Sequence, residues 1–390
     1  LKLKNSANTF GGKATYDLSV FSAEDAIVPS SSAVIVVAGR LRNLDPVQSN
    51  IYNVTDKVYA MFKNQGYDDN SIQYLAPNTT RNNVDAGATI ANLQDAITVW
   101  AKDHVTGEGA LTLYLMDHGD KGKFHLDSVN GQLVTPSQLA GWLNQIEAAV
   151  PGLKLNVIIE MCYAGSFITD ANRISKAGRV VIASTNDNYV AWASAKGAIF
   201  SDHLIETMGR KSNLGLSFNR ARDAAVTFHS GQTAWLDANG NGKPNENEDI
   251  ALASQRGFEI AGSLDGQKWP PHIAELTMPI TITNGQGQLS AKVVDDQSVN
   301  FVWAAVYPPS YSAPENSEAL VNDEASGAIT VLKLTPGQND QFSVSYPGFT
   351  QPGEYRIVVY AEDGDGVEAL PKVGIVTIAG SRVFLPLVAR

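Results

Sequence analysis

At 390 residues the chain has room for two or three domains of the usual ~100 to 200 residues each. Its 44% hydrophobic and 18% charged residues are those of a folded soluble protein, which sets aside disorder, collagen-like repeats and coiled coil. With 29 basic against 40 acidic side chains the formal charge is −11; no basic face is clustered as nucleic acid binding needs, and no apolar run nears the ~18 to 20 residues of a membrane helix.

Four short apolar runs come first along the chain: Ala33–Ala38 (AVIVVA), residues 111–116 (LTLYLM), residues 155–159 (LNVII) and residues 180–183. Continuous apolarity at this length predicts strands buried on both faces of a parallel sheet. Between them lie segments of helical period. Residues 52–64 carry an apolar stripe that stops near Gly66, and Ile90, Leu93, Ile97 and Trp100 recur at the spacing of one helix face. Thr135-Pro136-Ser137-Gln138 is a capping box with Pro in the first turn, opening a helix that buries Leu139, Trp142, Leu143 and Ile146. Strands alternating with helices predict a three-layer α/β/α sandwich with a mainly parallel sheet.

Two polar motifs follow directly on two of these strands, where open α/β sheets bind ligands. Residues 111–116 run into Asp117-His118-Gly119-Asp120, and residues 155–159 run into Glu160-Met161-Cys162-Tyr163-Ala164-Gly165-Ser166. A lone cysteine is more often a small buried hydrophobe than a nucleophile. Cys162, however, precedes the small residues that let a backbone turn sharply and bring amides near a substrate carbonyl. His118 alone among six histidines ends an apolar strand. A thiol at its ordinary pKa is little ionised at neutral pH, so a nearby imidazole would activate it and later protonate a leaving amine. The amides of Gly119 and Cys162 are the expected oxyanion donors.

These residues resemble the legumain family of caspase-fold cysteine peptidases, which also includes the catalytic subunit of the GPI transamidase; with its C-terminal module, the chain looks like a bacterial-type member. The resemblance covers roughly residues 30–230 and rests on strand–Asp-His-Gly, strand–Glu-x-Cys-x-x-Gly-Ser, and Val34-Ile35-Val36-Val37-Ala38-Gly39. It implies a dyad of His118 and Cys162, an oxyanion role for Gly119 and a place for Glu160 in the P1 pocket. Arg40-Leu41 stands where the family has Ser-Asn, and the family's second acidic pocket residue has no match. Arg40 or Arg42, and a wall at residues 184–190 beginning with Ser184 and Thr185, are the remaining candidates for substrate binding. The ranked P1 expectation is Asn, then Arg or Lys, then Asp. The expected activity is a cysteine endopeptidase acting on proteins or peptides, with transpeptidation by the same dyad, or a non-catalytic binding scaffold, as alternatives.

Residues 237–248 (DANGNGKPNENE) fit the calcium-loop pattern D-x-[DN]-x-[DN]-G-x5-E. The spacing offers oxygens from Asp237, Asn239, Asn241, Lys243 and Glu248 to a structural Ca2+, although Asx-Gly-rich segments also make ion-free turns. The chemistry itself asks for no cofactor. Phosphate loops and a G-x-S-x-G elbow are missing, and Ser201-Asp202-His203, being adjacent, cannot form a triad. One cysteine rules out an intramolecular disulfide and a Cys-rich zinc site.

After Gly262 short alternating runs at 288–294, 299–306, 341–344 and 355–361, broken by Asn-Gly, Pro-Pro, Pro-Gly and Asp-Gly, predict an Ig-like β-sandwich. Its Tyr307-Pro308-Pro309-Ser310-Tyr311 turn reads as structural or substrate-presenting. The expected division is an extension at 1–29, a peptidase domain at 30–262, a sandwich at 263–380 and a tail or last strand at 381–390. A start at Leu1 rather than Met reads as a mature form, with an extracellular or cell-surface location after leader removal.

Overall fold

The computed structural model describes residues 31–194, 196–209, 212–228, 231–257, 271–279, 282–295, 298–311, 329–364, 369 and 371–379, the side chains of 227 and 228 excepted. The segment 1–29, the junction around residue 262 and the tail 381–390 lie outside the described residues.

The four apolar runs are strands β1 (Ala33–Ala38), β3 (Ala110–Met116), β7 (Lys154–Glu160) and β8 (Arg179–Ala183), joined by β2 (Ile72–Leu75) and β9 (Trp235–Asp237) in one sheet of order β2-β1-β3-β7-β8-β9. All neighbours are parallel except β9, which runs against β8. A small antiparallel sheet of β4 (Gly119–Asp120), β5 (Lys123–Asp127) and β6 (Gln132–Val134) follows β3.

Successive strand residues point to opposite faces, so each run feeds two cores. Val34, Val36 and Ile158 meet α1 (Gln48–Asn64), α6 (Ile199–Gly209) and α7 (Leu214–Phe228) through Val54, Val58, Phe62, Phe200, Leu204 and Phe218. Ile35, Val37 and Ile159 meet the other helical layer. There α2 (Ile90–Asp95) continues through a wider π turn, Ala96–Trp100, into α3 (Ala101–His104), beside α4 (Pro136–Ala149) and the single turn α5 (Ser166–Thr169). The capping box of α4 forms as expected: Gln138 N donates to Thr135 Oγ1 at 3.3 Å and Thr135 N to Gln138 Oε1 at 3.0 Å. The result is a mixed α/β fold with a mainly parallel central sheet between two helical layers.

The C-terminal part consists of β10 (His272–Thr277), β11 (Gly287–Val294), β12 (Val299–Tyr307), β13 (Thr330–Lys333), β14 (Thr335–Pro336), β15 (Gln341–Tyr346), β16 (Gly353–Asp363) and β17 (Lys372–Ile378). They form two four-stranded antiparallel sheets, β10-β11-β15-β14 and β13-β12-β16-β17, enclosing a core with Leu289, Val302, Phe342, Tyr355 and Val359. No helix among the described residues is long and apolar enough to cross a membrane.

Candidate active site

Met116 and Glu160 are paired across β3 and β7, so His118 and Cys162 lie the same two residues beyond matched positions on neighbouring strands. The amide of Asp117 donates to Glu160 O at 3.2 Å, extending the ladder one step further. Beyond it the chains turn. Gly119 lies so close to Cys162 that an added Cβ would come within 2.9 Å of Cys162 O and would also clash with Met161, so only glycine fits there. Tyr163, directly after Cys162, has φ +58°, a left-handed conformation uncommon for a side chain of this size and concentrated at functional sites. The turn is braced from below: Tyr163 N donates to Tyr189 O at 2.9 Å, and Gly165 N to Thr185 O at 3.0 Å.

His118 and Cys162 line one cleft together with Met116, Asp117, Glu160 and Met161 from the ends of β3 and β7. Cys162 is half-buried, its Sγ 3.9 Å from Ala191 O. One wall is Val47, Asn50 and Ile51 from the start of α1; the other is Ala191, Trp192, Ala193, Gly197 and Ala198.

Asp45, which belongs to none of the motifs above, stands beside His118. Asp45 Oδ2 lies 3.1 Å from His118 Nε2, with the carboxylate side chain fully buried and the imidazole 9% exposed. Asp45 Oδ1 accepts from Val47 N at 3.0 Å, so the carboxylate is locked by the turn that opens α1. Burial alone would raise its pKa, but the His118 contact, the Val47 amide and the charge of Arg42 outweigh burial and hold Asp45 below the ordinary carboxylate value. Asp117, beside His118 and completely buried near Asp45 and Asp127, is pushed the other way, well above that value. The signal for Asp45 was in the chain: Asp-Pro before a helical stripe is an Asx turn, and it follows the carboxyl end of a parallel strand.

Of the five residues expected to bind substrate, only Glu160 lines the cleft. Its Oε2 accepts from Ser201 N at 3.1 Å and from Ser201 Oγ at 2.5 Å, while Oε1 is buried without an aligned partner. Burial, offset in part by these hydrogen bonds, raises its pKa to about 7. Arg40 instead forks onto Asp127 of β5, with Nε to Oδ1 at 3.1 Å and Nη2 to Oδ2 at 3.0 Å. Arg42 Nε lies 3.9 Å from Asp45 Oδ2. Ser184 and Thr185 are fully buried beneath the Cys162 turn, where Met161 N donates to Ser184 Oγ at 3.3 Å. The wall expected at 184–190 is built by residues after 190, because 184 and 185 are used to hold the turn.

The loop at 237–248 lies at the end of β9 and leads into α8 (Asn247–Ala253), a strand–loop–helix unit. Gly242 takes φ +77° at the turn position of the pattern. Asp237 Oδ1 and Oδ2 accept from the amides of Gly240 and Gly242, and the side-chain oxygens of Asn239 and Asn241 accept from the amides of Asn241 and Lys243. Asn239 Nδ2 donates to Glu248 Oε2 at 3.3 Å. The donors are the oxygens a hard cation takes, but they are turned onto the loop itself, and the described residues hold no group of three or more His, Cys, Asp or Glu placed to ligate a metal.

No protein-family model matches the chain, and no curated protein matches it. Among solved structures it is similar to caspase-1 from Spodoptera frugiperda, with a TM-score of 0.42 and 10% identity over 65% of this chain and 99% of that one. It is also similar to the PKD domain of an M14-like peptidase from Thermoplasmatales archaeon SCGC AB-540-F20, with a TM-score of 0.20 and 15% identity over 29% of this chain and 99% of that one. A polysaccharide deacetylase from Bacillus cereus matches with a TM-score of 0.19 and 14% identity over 26% of this chain and 29% of that one.

Proposed function

We propose that the protein is a cysteine endopeptidase. The observation that carries the reading is one cleft lined by His118 and Cys162 at register-matched strand ends, with the buried Asp45 carboxylate against His118 Nε2. In this mechanism the Asp45 contact commits Nε2 and leaves Nδ1 for proton exchange. The thiol proton passes to Nδ1, and the thiolate adds to the scissile carbonyl carbon. The tetrahedral oxyanion is held by the amides of Gly119 and Cys162, whose approach the missing Cβ of Gly119 permits. Collapse breaks the C–N bond as the imidazolium protonates the amine; water, deprotonated by His118, then cleaves the thioester and restores the thiol.

For the P1 side chain, Glu160 is the only ionisable group from the expected substrate-binding set in the cleft. With Arg40 on Asp127 and Arg42 beside Asp45, the cleft lining holds the carboxyls of Glu160 and Asp117 and no guanidinium. It therefore suits a slender hydrogen-bond donor: Asn while Glu160 is protonated, Lys or Arg once it ionises. For the loop at 237–248 we propose a structural Ca2+, supported by the motif spacing and the glycine turn.

Treatment with a peptidyl acyloxymethyl ketone, read as adduct mass on Cys162 and residual peptide cleavage, tests the central reading. One adduct per chain with loss of cleavage is expected; cleavage that persists after complete labelling overturns it.

A further inference from the structure

An ordinary two-sheet sandwich buries one face of each sheet, yet β12 and β16 are buried on both. Val302, Ala304 and Val306, with Ile357, Val359 and Ala361, face the core of the sandwich. The intervening Trp303, Ala305, Val358 and Tyr360 belong to the apolar cluster that contains Trp192, Ala198 and Phe200 of the α/β part. The second face is thus an interface with the module that carries the cleft.

Lys196 stands at this seam. Its Nζ lies 4.4 Å from the centroid of the Trp303 ring, which is 3% exposed and stacks on Tyr360 at 5.2 Å, and 3.5 Å from Glu362 Oε2. The ion pair is partly exposed, 43% at Lys196 and 22% at Glu362, so the aromatic face is the stronger hold. On its other side the Lys196 carbonyl accepts from Asn53 Nδ2 of α1 at 3.1 Å. Gly197 and Ala198, next in the chain, line the cleft. Such small residues have no side chain with which to anchor themselves. Gly197 is placed by its neighbours: its carbonyl accepts from Asn50 Nδ2 at 3.0 Å and its amide donates to Ser194 Oγ at 2.9 Å.

We infer that the C-terminal sandwich is a positioning element of the substrate cleft, in which Trp303 and Glu362 fix Lys196 and through it the wall at Ala193, Gly197 and Ala198. The functional half of this inference rests on the peptidase reading; the mechanical half does not. Removing the aromatic face loosens one wall while His118, Cys162 and Asp45, on other segments, keep their places. Substrate binding suffers before the chemistry does.

The test uses the full chain, as wild type, Trp303→Ala, Trp303→Phe and Glu362→Gln. Amide exchange of a peptide spanning 190–199 and of one spanning 154–166 is measured beside melting and peptide hydrolysis. Trp303→Ala is expected to speed exchange at 190–199 and not at 154–166, and to raise KM about three- to tenfold with kcat within about twofold, Trp303→Phe restoring most of both. Should Trp303→Ala not fold, Lys196→Met and Glu362→Gln give the same comparison at part-exposed positions. Unchanged exchange at 190–199 in folded variants overturns the inference, as does a loss confined to kcat. A wild type that neither cleaves peptides nor takes the ketone removes the peptidase reading, and the exchange comparison still decides the mechanical half.

Discussion

Asp45 Oδ2 lies 3.1 Å from His118 Nε2, a carboxylate from the loop after β1 set against a histidine from the end of β3. In the proposed mechanism a buried carboxylate there fixes the ring and stabilises the imidazolium formed when the thiol gives up its proton. Asp45→Asn is expected to lower kcat by on the order of 100-fold with little change in KM, since general-base help typically supplies ~100- to 10,000-fold. Because the folded pKa of Asp45 lies below 3.8, its contribution to stability is complete above that value and is lost as pH falls through the lowered one. The melting difference between wild type and Asp45→Asn therefore narrows in strong acid. An unaltered kcat in the variant removes Asp45 from the centre.

Cys162→Ala is expected to abolish turnover while the half-buried site keeps its fold, and His118→Ala to lose ~100- to 10,000-fold. Turnover and circular dichroism of purified variants check both. Cleavage by Cys162→Ala, with contaminating protease excluded, sinks the mechanism.

The parallel strands β1, β3, β7 and β8 were legible because each is a continuous apolar run sandwiched between two helical layers, and the α4 cap was legible because Thr135 and Gln138 form a local reciprocal pair. Strands β2 and β9 were missed: β2 has four residues and β9 three, too few for any period. At the cleft, sequence order indicated His118 and Cys162 because both end strands, but it could not tell where Arg40 would turn. Its partner Asp127 comes from a hairpin whose register no local pattern specifies. The second wall was invisible for the same reason: Ala193, Gly197 and Ala198 carry no distinguishing chemistry, and tertiary contacts alone bring them to Cys162.

If the loop at 237–248 takes Ca2+, the native state alone binds it and gains stability by mass action, about 2.7 kcal/mol at a hundredfold excess over Kd. Chelation is expected to lower the melting temperature, and Asp237→Ala to abolish that response. The variant also loses the acceptor of the Gly240 and Gly242 amides, so its melting point is lower even without the ion. Equal melting of the wild type with and without chelator returns the segment to a self-bonded turn.

Glu160 gives the cleft a titration near neutrality. Its pKa of about 7 exceeds the ordinary 4.5 because burial penalises the charged form more than the Ser201 hydrogen bonds favour it. Between these two values the native state holds a proton that the unfolded chain has released. Stability from this group is therefore full below about pH 4.5 and declines as pH rises towards 7, by on the order of 3 kcal/mol. Glu160→Gln, still able to accept from Ser201, should remove that decline, so the variant gains on the wild type between pH 5 and 8. On the proposed peptidase reading, the same ionisation is expected to set P1 choice. Below the transition a protonated Glu160 is expected to favour a neutral Asn, and above it the buried carboxylate is expected to favour Lys or Arg. A P1-varied peptide library assayed from pH 5.5 to 8.5 should show the Lys/Arg-to-Asn ratio of kcat/KM rising through pH 7 in the wild type and staying flat in Glu160→Gln. A preference for Leu or Phe at every pH, or an identical ratio in both proteins, takes Glu160 out of P1 recognition.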